Sequence, residues 1–121
     1  MATTTLTQEK CVACRKDSPR VTDAEVAELK PQIPEWEMHE VNEEPRLERT
    51  FKFPDFRQAL TFTVAVGELA EVEGHHPAIL TEWGRVGVSW WTHKIRELHR
   101  NDFIMAAKTD RLYEEALGDR Q

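Results

Sequence analysis

Apolar and polar residues follow two rhythms along this chain, one of period two and one of period 3.6. In "TDAEVAEL" (22–29) Val26 and Leu29 supply the inner face of a short helix. Thr22 is placed to cap it, with Glu25 three residues on as the reciprocal partner, and Pro31 stops it. "WEMHEV" (36–41) alternates around Trp36 and Met38, which predicts a strand. "RLERTFKF" (46–53) alternates through Leu47, Phe51 and Phe53 and predicts its antiparallel neighbour across a "NEEP" turn. After Pro54 the period lengthens: Phe56, Ala59, Leu60, Thr63, Val66, Gly67 and Ala70 form the stripe of an amphipathic helix. Asp55 stands at its start, where a carboxylate favours the helix dipole, and Gly74 is placed to end it in the left-handed conformation.

Two further strands follow, joined by "WGRV" (83–86). A tight Gly84-Arg85 turn of the Gly-X kind pairs Trp83 with Val86, Thr81 with Val88 and Ile79 with Trp90 on a core face. The other face then pairs Glu82 with Gly87, Leu80 with Ser89, Ala78 with Trp91 and His76 with His93. A final helix is expected from about Asn101 to Leu117, with Phe103, Ala106, Ala107, Tyr113 and Leu117 inward and Gly118 as its stop. The order α-β-β-α-β-β-α predicts an α+β fold, a four-stranded antiparallel sheet with helices packed on one face. The 121 residues suit one domain, read here as 22–118. Residues 1–21 are polar and aperiodic and read as a flexible leader.

Composition narrows the function classes. A net charge of -6, with only the scattered Arg15, Lys16 and Arg20 near one another, argues against direct nucleic-acid binding. No apolar run approaches the roughly 20 residues of a membrane helix, and no signal-peptide core is visible, so a cytoplasmic location is the default expectation. The two cysteines form "CVAC" (11–14), a spacing compatible with half a zinc site or a redox pair. No second ligand pair follows at a short spacing, and the motif does not open a helix after a strand. Cys11 and Cys14 are therefore read as a reduced, structurally minor pair.

Three of the five histidines, His75, His76 and His93, fall within "EVEGHHPAILTEWGRVGVSWWTH" (71–93). Adjacent histidines point apart on an extended backbone and rarely bind one ion, although Glu71 could complete a metal site with His76 and His93. Imidazoles titrate near neutral pH, so several in one pocket suit general acid–base transfer to a flat polar heterocycle, with Trp91 as a wall. A nucleophilic triad is less well supported, because Ser89 lacks an elbow context. Residues alone leave the structural, metal and acid–base readings open.

The pattern E-x-x-x-H-H-P, then an aromatic, V-x-V, T-H, and D-F with A-A-K behind it, resembles the pterin-4a-carbinolamine dehydratases. It is carried by Glu71, His75, His76, Pro77, Trp83, Val86, Val88, Thr92, His93, Asp102, Phe103, Ala106, Ala107 and Lys108. The resemblance covers about residues 22–117, and the "CVAC" leader and "SWWTH" look like bacterial-type members. It implies removal of water from 4a-hydroxytetrahydropterin to give quinonoid dihydropterin, the pterin being what an aromatic amino acid hydroxylase leaves behind. It also implies no metal or cofactor, and assembly as homodimers or homotetramers. By the same resemblance His75, His76 and His93 are catalytic, with Asp102 as supporting acid and Glu71 as a further carboxylate. His75, His76, Pro77, Thr92 and His93 match pterin-contacting positions. The alternative it carries is a non-catalytic dimerisation and transcriptional cofactor module on the same fold. Ile79 stands where an aromatic is common, and Glu97 and His99 replace the glycine and Ser/Thr cap before the final helix. Asn101 is expected to take over that cap; His99 is read as loop and His39 as surface.

Overall fold

The computed structural model describes residues 5–12 and 18–118. Helix α1 (Asp23–Leu29) begins at the expected reciprocal cap. The Glu25 N–H donates to Thr22 Oγ1 (3.1 Å), and the Thr22 N–H donates to Glu25 Oε1 (3.0 Å). A 3-10 turn over Lys30–Gln32 ends it at Pro31. Strands β1 (Glu37–Val41) and β2 (Glu44–Lys52) follow, then α2 (Phe56–Glu73), β3 (Ala78–Glu82), β4 (Arg85–Trp90) and α3 (Arg100–Gly118). The four strands form one antiparallel sheet in the order β1-β2-β4-β3, in agreement with the predicted α+β architecture.

Two turns differ from expectation, and both matter to the site. The β1–β2 turn is only Asn42-Glu43, both at positive φ (52° and 67°), the geometry that matches the twist of paired strands. Glu44 and Pro45 therefore belong to β2. The β3–β4 turn is Trp83-Gly84, not Gly84-Arg85: Glu82 pairs with Arg85, Thr81 with Val86, Ile79 with Val88 and Ala78 with Ser89. Gly84 takes the positive φ (78°) at the second turn position, and its carbonyl accepts from the Phe53 N–H (2.8 Å), in line with the β2–β4 ladder. A side chain at 84 would crowd the Phe53 carbonyl at 3.3 Å. Trp83 is consequently at the hairpin tip, 74% exposed, and outside the core face.

The core lies between the sheet and the two long helices. Leu47, Phe51, Val86, Val88 and Trp90 point in from β2 and β4, meeting Ala59, Phe62, Val66 and Ala70 of α2. Phe51 packs on Phe62 and on Tyr113, each at 4.9 Å between ring centroids. The buried stripe of α2 is thus rotated from the expected one: Phe62 faces in, while Phe56 and Leu60 join Val64 on the exposed side. Asp55 caps α2 through the Gln58 N–H (2.8 Å), and Gly74 ends it at φ 67° as expected.

Residues 101–107 of α3 are buried on every side. The sheet covers one face, and residues 5–12 lie against another. Leu6 is fully buried, and its N–H donates to Gln32 Oε1 (3.0 Å). Arg100 makes two 2.8 Å bonds to Glu9, and the Asn101 amide clasps the Val12 backbone at 3.1 and 2.7 Å.

Candidate active site

The left-handed turn at Gly74 reverses α2 and drops His75 into the interior, where it is buried. Its ring stacks nearly parallel (10°) to Trp90 at 5.8 Å between centroids. Its Nε2 lies 2.6 Å from Oδ1 of Asp102 in the first turn of α3. Asp102 is 0% exposed, and its second oxygen accepts from Thr92 Oγ1 (2.8 Å) and the His99 N–H (2.9 Å). Three donors converge on one carboxylate, which satisfies a group too costly to bury unpartnered. As the acceptor, Asp102 fixes the proton of His75 on Nε2 and leaves Nδ1 as its basic position.

His76 and His93 are placed differently. His76 is exposed, with Nε2 2.7 Å from Oε2 of exposed Glu71, a contact that solvent makes weak. His93 also projects outward, its side chain 76% exposed, but Nδ1 lies 2.9 Å from Oε1 of Glu44, whose side chain is only 9% exposed. The pairing of His76 with His93 is not observed, because the Trp83-Gly84 turn moves every partner by two residues. Continued past Ala78, the ladder sets His76 in line with Trp91. Each outward imidazole instead has its own carboxylate. Trp91 lies beneath the Arg46 guanidinium at 3.8 Å, a cation–π contact. Pro77 is half-buried after the pair, and Thr92 is buried against Asp102.

Of the expected site residues, the fold brings His75, Thr92 and Asp102 into one hydrogen-bonded group, and His76 and Glu71 into another. Glu44 and His99 were not foreseen there. Glu44 could have been found from the Asn42-Glu43 turn, which carries β2 back to a position opposite His93. His99, read as loop, is the residue that caps α3, and Asn101 does not: the Asn101 N–H donates to His99 Nδ1 (2.9 Å). Burial holds the His99 imidazole below the usual histidine range; Asp102 and Glu25 oppose the shift, and the neighbouring His75 adds to it. His39 is exposed beside Glu37 (3.0 Å), as expected of a surface residue.

Among the described residues no three His, Cys, Asp or Glu side chains cluster as metal ligands. Cys11 donates weakly to the Asn101 carbonyl (3.8 Å), and Cys14 lies outside the described residues. No helix among them is long and apolar enough to cross a membrane. The buried imidazole–carboxylate pair, flanked by two exposed imidazoles, is equipped for proton transfer rather than for covalent attack.

Residues 19–112 match the profile of the family described as pterin 4 alpha carbinolamine dehydratase. A protein of Gloeobacter violaceus named "Putative pterin-4-alpha-carbinolamine dehydratase 1" is 67% identical over 105 residues, covering 87% of this chain and 90% of that one. A "Putative pterin-4-alpha-carbinolamine dehydratase" of Nitrosococcus oceani is 59% identical over 107 residues, covering 88% and 95%. A crystal structure of a transcriptional coactivator/pterin dehydratase from Brucella melitensis superposes with a TM-score of 0.69 at 29% identity, over 78% of this chain and 99% of that one.

Proposed function

The chain belongs to the pterin-4a-carbinolamine dehydratase family, and we propose that it is a hydro-lyase removing water from a pterin 4a-carbinolamine by histidine acid–base catalysis. The observation that carries this reading is the 2.6 Å contact of His75 with fully buried Asp102, two of the residues on which the resemblance rests. The reaction requires a proton on the departing 4a-hydroxyl and loss of one from a ring nitrogen, giving the quinonoid dihydropterin and water. His76 and His93, exposed and each beside a carboxylate, supply and take these protons. His75, backed by Asp102, contacts the pterin from the buried side, with Pro77 and Thr92 shaping its surroundings. Each such transfer contributes about 10²- to 10⁴-fold.

In this reading the substrate comes from an aromatic amino acid hydroxylase in the cytoplasm, and the product returns to the tetrahydropterin pool. The reading needs no metal or prosthetic group, since the proton transfers fall to side chains of the chain itself. Self-association belongs to it as well. Among the described residues no further strand pairs with the sheet edges β1 and β3, and α2 exposes Phe56, Leu60 and Val64 along one side. The Brucella protein's description as a coactivator favours, as a second reading, a binding module on this fold. The retained His75, His76 and His93 weigh for catalysis.

Stopped-flow dehydration of freshly generated 4a-carbinolamine is the test. Acceleration well above the spontaneous rate is expected, and a rate equal to the spontaneous one would leave the module as the better account.

A further inference from the structure

Helix α3 starts from a residue type that seldom starts helices. Ser, Thr, Asp and Asn are preferred at that place because their oxygens accept a first-turn N–H at any ordinary pH. Here His99 precedes Arg100, and its Nδ1 accepts the Asn101 N–H at 2.9 Å. The His99 carbonyl accepts the Asp102 N–H (2.9 Å), and the His99 N–H donates to Asp102 Oδ2 (2.9 Å). This is a reciprocal cap with imidazole in the role of the hydroxyl and aspartate in the role of the usual glutamate. The carboxylate that completes the cap also holds His75.

An imidazole nitrogen can accept only while it carries no proton. The donor geometry at Nδ1 therefore admits one protonation state of His99, with its hydrogen on Nε2. A second proton would set Nδ1–H against the Asn101 N–H. The ring would have to turn, and a cation would then stand beside Asp102 in competition with His75. Charged and titratable groups face His99 from three elements: Asp102 on α3, His75 at the end of α2, and Glu25 on α1. The rest of the turn is held from the other side, Arg100 by Glu9 and Asn101 by Val12. The cap is thus the part of this turn whose bonding depends on a proton.

We propose that His99 is a positioning residue for the dehydration site: neutral, it closes the first turn of α3 and keeps Asp102 on His75 and Thr92; protonated, it releases them. This rests on the dehydratase reading of His75 and Asp102. Activity and stability then both lose, on acidification, a contribution that belongs to His99. Its native pKa is depressed by burial. The stability it contributes is present above the ordinary histidine value of about 6.5 and is lost as pH falls through the native value.

The experiment uses the full chain, its His99→Ala and His99→Ser variants, and three readouts. Imidazole ¹⁵N NMR at pH 8 should show His99 with Nδ1 bare and Nε2 protonated. In stopped-flow assays His99→Ala should lower kcat about tenfold with a smaller change in KM, since a slightly misplaced group is costly. His99→Ser should recover most of that rate and extend activity to lower pH than wild type, because a hydroxyl cap does not titrate. Urea unfolding should show the acid loss of stability in wild type and its reduction in His99→Ser. A proton on Nδ1 at pH 8, wild-type rates in His99→Ala, or acid limbs that coincide in wild type and His99→Ser would each overturn the proposal. A wild-type chain that does not accelerate dehydration would overturn the dehydratase reading instead, and NMR with urea unfolding would still decide the cap.

Discussion

Nε2 of His75 and Oδ1 of Asp102 stand 2.6 Å apart, and the other carboxylate oxygen is occupied by Thr92 Oγ1 and the His99 N–H. Every lone pair that matters is committed to a donor. Asp102→Asn keeps the shape but turns one oxygen into an NH₂ group. That group faces either His75 or the Thr92–His99 pair, donor against donor. If it faces His75, the imidazole proton is forced to Nδ1, the nitrogen that the proposed mechanism needs bare. We expect kcat to fall by about 10²- to 10⁴-fold with KM moved much less. Stopped-flow kinetics beside circular dichroism would check it, and a folded variant with near-wild-type kcat would remove Asp102 from the chemistry.

His93 and Glu44 form the second pairing of consequence, an outward imidazole anchored on a largely buried carboxylate. If the anchor orients the imidazole, Glu44→Gln and His93→Ala act through the same contact. Their combined effect on kcat/KM should fall short of the product of the single effects by about threefold or more. His76→Ala with Glu44→Gln should multiply, because His76 leans on Glu71. Multiplicative losses in the first pair would show that Glu44 is structural and does not orient His93.

The element order was legible because periods of two and 3.6 are both plain, and caps such as Thr22, Asp55 and Gly74 mark the helix ends. The hairpin register was not. Registers that differ by two residues keep every side chain on its face, so Val86, Val88 and Trp90 point inward in either one. Only the turn decides, and Gly84 serves a Trp83-Gly84 turn as well as a Gly84-Arg85 one. The α2 stripe departs from its expected position for a related reason: Phe56 and Leu60 are apolar but unburied. Asp102 is 27 positions from His75, and no local spacing links them. The family resemblance identified it. Glu44 and His99 were hidden inside segments that read as turn and loop.

The segment before α1 contributes to stability. Leu6 is 0% exposed, and its neighbour Gln32 takes its N–H. Leu6→Ala should cost about 2–5 kcal/mol, the range for a large-to-small change at a fully buried site. Urea unfolding at fixed protein concentration measures it. A change under about 0.5 kcal/mol, typical of exposed positions, would mean that residues 5–12 leave α3 in solution.

Glu73 predicts a pH dependence. Burial alone would raise its pKa. The bonds from Lys108 Nζ (2.8 Å) and the Cys11 N–H (3.0 Å), with the charges of Lys108 and Lys10, outweigh that and hold it below the usual glutamate value. A depressed carboxyl stabilises the fold above its unfolded pKa of about 4.3, and that contribution is lost as pH falls through the native value. Glu73→Gln should therefore be less stable than wild type at pH 7, with the gap closing on acidification. A gap independent of pH would assign the loss to packing.

The exposed side of α2 makes the last prediction. Phe56, Leu60 and Val64 recur every four residues, so they lie along one ridge, and each is more than 40% exposed. Val72 extends the apolar exposure on the last turn of the helix, and Gly67 between them has open space where a Cβ would be. The row continues through exposed Glu68, and the open space at Gly67 beside it allows a second helix to approach closely. A subunit this small gains by covering such a surface with a copy of itself. Light scattering at micromolar concentration should return a multiple of 14.1 kDa. Leu60→Glu places a charge in the middle of the ridge, where its desolvation opposes association. Because Leu60 is outside the core, the fold should survive while the mass falls toward one subunit. An unchanged mass in Leu60→Glu would move the interface to the sheet edges, and a wild-type mass of 14.1 kDa would remove self-association from the functional account.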